Sequence, residues 1–559
     1  MISNTKKPFF SATRRTSAGA VPAYKSFLHR TRFLLLLLVI LFNFAIFTNN
    51  ILINFVVICM SEKEYKNPLD FLQYQDAIIE KMEDFRSDWF TYRNYEKSLI
   101  FAISPIATLL SIWPIWRLIQ KHGYRRTCSI SGFFSTILVA FYPWPIYFGF
   151  LPLLLVQFLQ GATFAAPLLL IPKVIRKWST RKNDVMVFMI LTTFMQLSPL
   201  ISYPSAGHMC DSQLGWPFVF YFQSILSFVI NLAFLYFFKE TPIRHGNVSD
   251  AELAKIHRTT STKGKICYQK VLSCHQFQSI ALSSFTYFCS LSLITTFGPT
   301  YLYESSDFTV VQSGWLIAVM MATHFIFKIY ITRYFDSNEK FITLLNIRVL
   351  SVIGFTIPAI MILIIFITRL NHLTTSIILI AFSTCSAITW PSVFKASGII
   401  SSHHYVPIIT RLHLFLFLFS QIFTNLLVSF IVWHNDFHYW RFIFLIFAIL
   451  LIASNVIFWI FFKFEKSDWE KPPKKVVTSP PKPEEIAPVS HPRPCQFTAS
   501  FDDEIIVSII SRGLDRCDTC KKHGIHRNHQ NSADNIPTRK MFDEVVYECS
   551  EPSESMTHM

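Results

Sequence analysis

Residues 33–60 read FLLLLLVILFNFAIFTNNILINFVVICM, and no Asp, Glu, Lys or Arg interrupts them. A helix needs ~20 mostly apolar residues to cross a hydrocarbon core of ~30 Å, so this run is long enough to span a membrane. Residues 1–32 are polar and basic, whereas the apolar core of a cleavable signal peptide lies closer to the N-terminus. We therefore expect 33–60 to be a transmembrane helix that is retained.

Similar apolar runs recur in two sets of six, separated by a polar loop. Lipid offers no partners to backbone N–H and C=O groups, so runs of this length predict helices, and a β-barrel would instead show short alternating segments. The runs lie at 33–60, 99–118, 128–147, 150–172, 185–206 and 217–238, and at 277–302, 313–333, 346–368, 375–394, 408–433 and 440–463. The sequence predicts an all-α membrane protein of about twelve transmembrane helices in two six-helix halves.

The composition agrees with a surface that faces lipid. Charged residues make up 15% of the chain and hydrophobic residues 52%, whereas soluble domains carry nearer ~25% charged residues. The net charge is +16, but the basic residues lie mostly at the N-terminus and between apolar runs, where topology explains them better than nucleic-acid binding does. We expect the lipid bilayer to be a partner and nucleic acid not to be one.

The distribution of Lys and Arg predicts the orientation. Basic residues cluster in 1–32, 121–126, 173–182 and the central loop, while the alternate loop 207–215 contains none. Because cytoplasmic loops carry the excess of Lys and Arg, we expect both termini and the central loop in the cytoplasm. The pattern leaves open whether the membrane is the plasma membrane or that of a vesicle or lysosome.

We expect five segments along the chain. They are a basic cytoplasmic segment at 1–32, the first six-helix half at 33–238, a cytoplasmic central loop at 239–276, the second half at 277–464 and a tail at 465–559. The tail is rich in proline and poor in apolar residues, so we expect it to be disordered and available to cytosolic partners.

Eleven cysteines are scattered along the chain, and several, such as Cys59 and Cys289, lie inside apolar runs. This spacing is not that of a disulfide framework, so we expect most of them to be small buried hydrophobes. The tail holds ligand types for zinc, with irregular spacing and no surrounding domain. These residues are Cys517, Cys520, His523, His526 and His529. We expect no cofactor and no metal site, and metal binding by the tail stays open.

The loop after the second predicted helix carries a motif. Residues 116–126 read WRLIQKHGYRR, which resembles the Gly-x-x-x-Asp-(Arg/Lys)-x-Gly-Arg-(Arg/Lys) marker of the major facilitator superfamily. Gly123, Arg125 and Arg126 match, while the first glycine and the acid of the marker are Trp and Gln here. The resemblance implies a role in gating, although the two arginines can equally be positive-inside anchors. A related loop after the eighth helix keeps an acid at Asp336, and such duplicated folds place the solute between the halves.

A closer resemblance is to the anion:cation symporter family, which contains the sodium/phosphate cotransporters, sialin and the vesicular glutamate transporters. The matching segments span most of residues 33–470 in the order and spacing of the family. They are Gly207–Pro217 with Phe220-Tyr221, Glu240–His245 with Ser249 and Glu252, Arg176-Lys177-Trp178, Pro299-Thr300-Tyr301, Gly354 with Pro358-Ala359, and Glu465–Trp469. The resemblance implies alternating-access transport of an organic anion or phosphate, with Na⁺ or H⁺ as coupling cation.

Two departures from that family concern charge. Its members place an arginine in the first helix, and many place another in the fourth; the corresponding positions here are Asn50 and Gln157. Those arginines are the natural partners of an anion, and burying an unpaired charge costs several kcal/mol. We therefore predict a neutral or zwitterionic solute, or an anion handled more weakly than relatives handle it.

Few ionisable residues lie inside the predicted helices, where charges are costly and usually functional. The candidates for gating or coupling are Glu96 at the end of the second helix and Lys328 in the eighth. Lys328 can act in coupling or extend along the helix towards Arg333 and the interface. His324, one turn away, is expected to be packed or hydrogen-bonded, and Glu96 can simply favour the start of a helix.

Uncharged polar side chains remain as candidates for a solute site. They can line a cavity or hold helices together, and the sequence leaves both interpretations open. They are Asn50 and Asn54 in the first helix, Gln157 and Gln160 in the fourth, Gln196 in the fifth, and Gln421 and Asn425 in the eleventh.

The sequence thus predicts a secondary transporter of a small solute and not an enzyme. Two alternatives stay open. One is a transporter-like sensor or scaffold that has lost transport, since the arginines of the family and the acid of the marker are missing. The other is a multi-pass membrane enzyme, for which no acid–base pair or nucleophile constellation is evident in the predicted helices.

Overall fold

The structure is a computed structural model that describes part of the chain. The described ranges are 30–62, 94–180, 184–245, 247–257, 271–337, 344–368, 371–401, 406–432 and 437–464. The tail with its cysteines and histidines, and the first 29 residues, lie outside them. Within the described ranges there is no strand, and nearly every residue is helical, as the apolar runs predict.

The first half consists of eight helices in the described ranges. They are α1 Thr31–Glu62, α2 Asn94–His122, α3 Tyr124–Phe141, α4 Pro143–Phe148, α5 Phe150–Trp178, α6 Asp184–Leu191, α7 Phe194–Asp211 and α8 Trp216–Phe237. The short helix α9, Asp250–His257, follows in the central loop.

The second half consists of seven helices in the described ranges. They are α10 His275–Ser292, α11 Gly298–Ser305, α12 Val310–Ser337, α13 Leu344–Ile367, α14 His372–Ile400, α15 Val406–Ile431 and α16 Phe437–Phe461. A π turn, Leu293–Phe297, joins α10 to α11, so these two helices form one span, and α6 and α7 form another.

Eleven spans among the described residues are long and apolar enough to cross a membrane. The predicted third helix, 128–147, corresponds to α3 and α4 together. Helix α3 has only 18 residues and begins with Tyr124, Arg125 and Arg126, which lower its mean hydropathy. Helix α4 continues the helical path to Phe148. The two together cover the predicted run.

Large apolar side chains cover the outside of the helices. Ile130, Phe148 and Leu151 are each at least two-thirds exposed. In water a surface of this kind would be a site of association or aggregation, whereas lipid tails cover it without cost. The chain is therefore an integral, multi-pass membrane protein.

Packing brings four helices together between the halves. Helix α1 is among the most buried spans and packs on α7 and α8 of its own half, while α10 packs on α15 and α16. Helix α7 packs on α12, and α2 packs on α15, so these two pairs join the halves. Polar side chains on their facing sides meet where duplicated transporter folds place the solute.

One disulfide corrects an expectation about the cysteines. Cys59, near the end of α1, is bonded to Cys210, near the end of α7, with Cα atoms 5.8 Å apart. The expectation of a buried free thiol is wrong for this pair, while Cys128 and Cys289 are buried free thiols. The spacing of the cysteines in the sequence did not indicate this disulfide, because the two helix ends are neighbours only in the fold. Both ends are predicted to face away from the cytoplasm, in compartments where disulfides persist.

Candidate functional site

A polar pocket lies between the two halves. Its walls come from α1, α2 and α5 of the first half, and from the π turn and α15 of the second. It encloses about 370 Å³, open solvent included. Five of the seven predicted amide residues line it, namely Asn50, Asn54, Gln157, Gln421 and Asn425. We call it the amide pocket.

Asn50 and Gln157, the two positions where the resemblance implies arginine, contact each other. The Gln157 Nε2 atom donates a hydrogen bond to the Asn50 carbonyl oxygen at 3.3 Å. The Ser104 hydroxyl donates to the side-chain oxygen of Asn50 at 2.7 Å, and the Tyr142 hydroxyl donates to that of Gln157. This wall of the pocket is neutral, and its side-chain oxygens already accept hydrogen bonds.

Two other amide oxygens in the pocket accept no hydrogen bond, those of Asn54 and Asn425. The orientation of the Asn425 amide is set because its Nδ2 atom donates to the Phe101 carbonyl oxygen, 3.0 Å away on the other half. A buried acceptor without a donor costs about 1–3 kcal/mol. A solute that supplies hydroxyl or N–H groups would therefore fit this side of the pocket.

Gln160 and Gln196 lie outside the amide pocket. Gln160 donates to the Ser135 hydroxyl at 2.6 Å and so joins α5 to α3, the helix-joining interpretation of these amides. The sequence pattern did not single out Asn49. Its amide donates to Ser135 and to Ser227 and holds α1 against α3 and α8. Gln196 belongs to a second polar cluster.

Lys328 is the cation of this second cluster. Its side chain is 0% exposed. Its Nζ atom donates to the Thr192 hydroxyl at 3.0 Å and to the Gln196 side-chain oxygen at 3.2 Å. The interpretation that Lys328 extends to the membrane interface is therefore wrong. The side chain turns inward and crosses from α12 to the first half.

His324 and Tyr287 extend the cluster. His324 Nε2 lies 2.9 Å from the Tyr287 hydroxyl, and the Gln196 Nε2 atom donates to the same hydroxyl at 3.5 Å. His324 is buried and hydrogen-bonded, as the sequence predicts. We call Lys328, His324, Tyr287, Gln196 and Thr192 the inner cluster, because they lie nearer the predicted cytoplasmic ends of their helices.

A layer of aromatic rings separates the inner cluster from the amide pocket. Phe47 and Phe164 line the pocket, and their ring centroids lie 5.2 and 6.0 Å from that of Phe194. Phe194 stands in the chain between Thr192 and Gln196, the two acceptors of Lys328. The amide pocket and the inner cluster are therefore neighbours at the interface of the halves, with the Phe194 ring between them, and we call the two polar sites together the polar path.

An ion pair joins the halves at the opposite ends of the helices. Lys97 Nζ lies 2.5 Å from Glu304 Oε1, which connects the first turn of α2 to the end of α11. Glu96, the acid predicted to act in gating, is the residue before Lys97 and is half-exposed. Glu304 went unnoticed in the sequence because it stands at the end of an apolar run, where acids are ordinary.

The loop after α2 shows why a glycine is needed there. Gly123 has a φ of 81°, and a Cβ atom at this position would lie 2.7 Å from Glu240 Oε1. The same carboxylate accepts from the Arg125 backbone N–H at 3.3 Å, and the Arg125 guanidinium donates to the Leu235 carbonyl oxygen. Glu240 thus places a carboxylate beside this loop, and Arg125 ties α3 to α8 within one half.

The remaining predicted gating residues lie apart from both polar sites. Arg126 is exposed at the start of α3, and Asp336 is half-buried in the last turn of α12. Neither lines the amide pocket, so a gating role for either stays a prediction.

One relative with a known name matches most of the chain, and a second matches under half of it. Sodium-dependent phosphate transport protein 1 of Mus musculus is 23% identical over 462 residues, which are 81% of this chain and 97% of the relative. Sialin of Homo sapiens is 23% identical over 248 residues, 43% of this chain and 50% of sialin.

Solved transporters share the fold. The D-xylose–proton symporter superposes with a TM-score of 0.58 at 13% identity, covering 78% of this chain and 99% of that one. A bacterial homolog of the human lysosomal transporter Spinster, in an inward-facing and unoccupied conformation, gives 0.54 at 13% identity with the same coverage. The family model described as Major Facilitator Superfamily matches residues 90–405. With two halves that meet around a polar path, this chain belongs to the Major Facilitator Superfamily.

Proposed function

We propose that this secondary transporter carries a small organic solute with one anionic group, either a monovalent anion or a zwitterion. The neutral polar part of the solute would bind in the amide pocket, and Lys328 would attract the anionic group. The membership of the family and the two-half fold support transport by alternating access. The nature of the solute follows from the polar path.

The observation that carries the proposal is the burial of Lys328. Its ammonium group is 0% exposed, and both of its hydrogen-bond partners are neutral oxygens. A charge inside a membrane-spanning bundle is expensive and is retained where it serves a solute or ion pathway. An anionic group would replace two neutral partners with an opposite charge, and the attraction between opposite charges is strong away from water.

This proposal narrows the prediction of a neutral or zwitterionic solute, or of an anion handled more weakly than relatives handle it. That prediction depended on the absence of any Lys or Arg turned towards the path between the halves. Lys328 is such a residue. The amide pocket itself carries no charged side chain among its lining residues, so a single cation serves the path. One anionic group matches that charge better than a dianion does.

The relatives agree with an anionic solute. The mouse relative is named for phosphate, an anion, and its name also states a dependence on sodium. The resemblance places arginines at the positions that are Asn50 and Gln157 here, and the Gln157 side chain donates to the Asn50 backbone carbonyl oxygen. We infer that the site of charge recognition has moved from those positions to α12.

The test is counterflow in liposomes that contain the purified full-length protein. Labelled glutamate and sialic acid represent monovalent organic anions, inorganic phosphate represents a smaller ion of higher charge, and glucose represents neutral solutes. We expect saturable exchange of a monovalent organic anion. Exchange of glucose alone would contradict the proposal that the solute carries an anionic group. If no solute is exchanged, the result would favour the transporter-like sensor.

A further inference from the structure

His324 and Lys328 form a pair of basic side chains one helical turn apart. Both are on α12, both are buried, and side chains four residues apart share one face of a helix. Two positive charges this close, away from water, oppose each other strongly. While Lys328 carries its charge without a counter-ion, His324 is held in its neutral form.

The hydrogen bonds of His324 suit that neutral form. Ser383 donates its hydroxyl proton to the Met320 carbonyl oxygen at 2.9 Å. The Ser383 oxygen is therefore left to accept from His324 Nδ1, 3.5 Å away. His324 Nε2 then accepts the Tyr287 hydroxyl proton at 2.9 Å. Each ring nitrogen has one partner of the right kind.

A proton on Nε2 would rearrange this chain of hydrogen bonds. Nε2–H would donate to the Tyr287 oxygen, and the Tyr287 hydroxyl proton would need a new acceptor. The Gln196 side chain already contacts that hydroxyl, and its oxygen is the one that Lys328 holds at 3.2 Å. If the Gln196 oxygen turns to Tyr287, Lys328 loses a neutral partner and can bind an anionic group instead.

We propose that His324 takes up the proton that couples transport, and that it does so when an anionic group is bound at Lys328. The anion cancels the charge that opposes protonation, and protonation frees Lys328 to hold the anion. By linkage, each ligand raises the affinity for the other to the same degree. One proton and one monovalent anion then cross together, with no net charge. This inference depends on the proposed function, and it makes H⁺ the coupling cation.

Other ionisable groups lie on α12 and on the helices around it. They are Arg32 and Glu62 of α1, Asp184 of α6, Tyr203, His208 and Asp211 of α7, Tyr287 of α10, Tyr301, Tyr303 and Glu304 of α11, His372, Cys385 and Lys395 of α14, and Tyr330, Arg333, Tyr334 and Asp336 of α12 itself. Among these described residues, Tyr287 is the one that hydrogen-bonds His324. The protonation of His324 therefore depends mainly on Lys328 and on the group that Lys328 binds.

The chemistry of the inner cluster is unsuited to Na⁺. Its side chains present an ammonium group and an imidazole, and a positive ammonium repels a metal cation. Hard cations prefer several oxygen ligands, usually including carboxylates. The cluster combines one cation with a chain of proton donors and acceptors, which suits an anion and a proton.

The experiment measures accumulation of labelled glutamate and sialic acid in liposomes made acidic outside by one pH unit, with an internal pH dye. For one proton per monovalent anion, the unmodified protein should accumulate solute about tenfold, because one pH unit is a tenfold gradient. His324→Gln should only equilibrate the solute, should admit no protons and should exchange solute with a raised half-saturating concentration. His413→Gln, a buried histidine of α15 outside the inner cluster, should accumulate solute like the unmodified protein.

Three results would overturn the inference. They are tenfold accumulation by His324→Gln, anion transport by the unmodified protein that ignores pH, and accumulation that follows a sodium gradient instead. The last two leave the proposed function intact. If His324→Gln also loses exchange, Tyr287→Phe becomes the test of the inference, since it removes only the hydroxyl that contacts His324. It should exchange solute with reduced accumulation, and unchanged accumulation would count against the relay. Transport of glucose alone would defeat the proposed function first.

Discussion

The Lys328 ammonium nitrogen lies 3.2 Å from the Gln196 side-chain oxygen, so a cation of the second half rests on the first half. The contact has consequences for the transport cycle. Helices α7 and α12 pack closely along the interface, and the halves of such folds rock against each other. Opening the cytoplasmic side would separate Lys328 from Gln196. A group that binds Lys328 in place of Gln196 and Thr192 therefore influences which side of the transporter is open.

The Lys97–Glu304 pair should act as a latch on the opposite side. We expect Lys97→Glu and Glu304→Lys, made singly, to lower the thermal unfolding temperature by a few degrees, because like charges then meet across the halves. The double variant should recover most of the loss, since it restores the pair with reversed signs. Glu96→Lys changes the charge one residue away from Lys97. It tests whether any change of charge in this region lowers the unfolding temperature as the two single variants do. A double variant no more stable than the single ones would contradict the latch.

Gly123 and Gly149 are a matched pair of positions for measuring how the loop after α2 contributes to stability. Both have positive φ, but a Cβ at Gly123 meets Glu240, whereas one at Gly149 meets nothing within 4 Å. Each Ala variant should cost about 1–2 kcal/mol of backbone strain. Gly123→Ala should cost about 1 kcal/mol more, because the contact of Glu240 with the Arg125 N–H is disturbed. Equal losses of stability by thermal unfolding would show that Glu240 contributes nothing.

The Cys59–Cys210 disulfide should be present in the protein isolated without reductant. Mass spectrometry should find the two peptides joined, while Cys128 and Cys289 remain free thiols. A Cys59→Ser/Cys210→Ser double variant should lose about 2–4 kcal/mol of stability, as is typical of native disulfides. Cys289→Ser serves as a control. Separate peptides with free thiols would contradict both the bond and the predicted position of these helix ends outside the cytoplasm.

His245, in the loop after α8, should make stability depend on pH. Partial burial, with a smaller contribution from Lys239, holds the pKa of His245 below its usual value. The Asn247 backbone N–H donates to its Nδ1 atom, a bond that needs the neutral ring. The unfolded chain then binds more protons, so the stability from this group is present above about pH 6.5 and is lost as pH falls from there through the lowered pKa of the folded state. His245→Asn should reduce this part of the pH dependence of thermal unfolding; an identical pH profile would contradict it.

The residues show why some features were predictable and others were not. The apolar runs predicted the helices because helices are the way a continuous apolar segment satisfies its backbone in lipid. Asn50 and Gln157 were singled out because the resemblance places arginines there, and the structure brings both into one pocket. The third helix alone fell short of a span, because Arg125 and Arg126 lie within it.

Contacts between residues far apart in the chain could not be predicted from the sequence. Lys328 and Thr192 are 136 residues apart, and Lys97 and Glu304 are 207 apart. A lysine one turn from Arg333 has the spacing of an interfacial residue, and only the packing of α7 on α12 turns it inward. The disulfide was hidden for the same reason, since Cys59 and Cys210 resemble any small residue in an apolar run.

The most direct test of the account is the half-saturating concentration for exchange of a monovalent anion by Lys328→Met, compared with Lys328→Arg and the unmodified protein. Met keeps the length of the side chain without its charge, and Arg333→Met removes an exposed cation from the same helix as a control. A charge-assisted hydrogen bond contributes about 1.5–3 kcal/mol, so Lys328→Met should raise that concentration between about tenfold and about a hundredfold. Lys328→Arg and Arg333→Met should change it much less. An unchanged half-saturating concentration in Lys328→Met would contradict the claim that this lysine binds the solute.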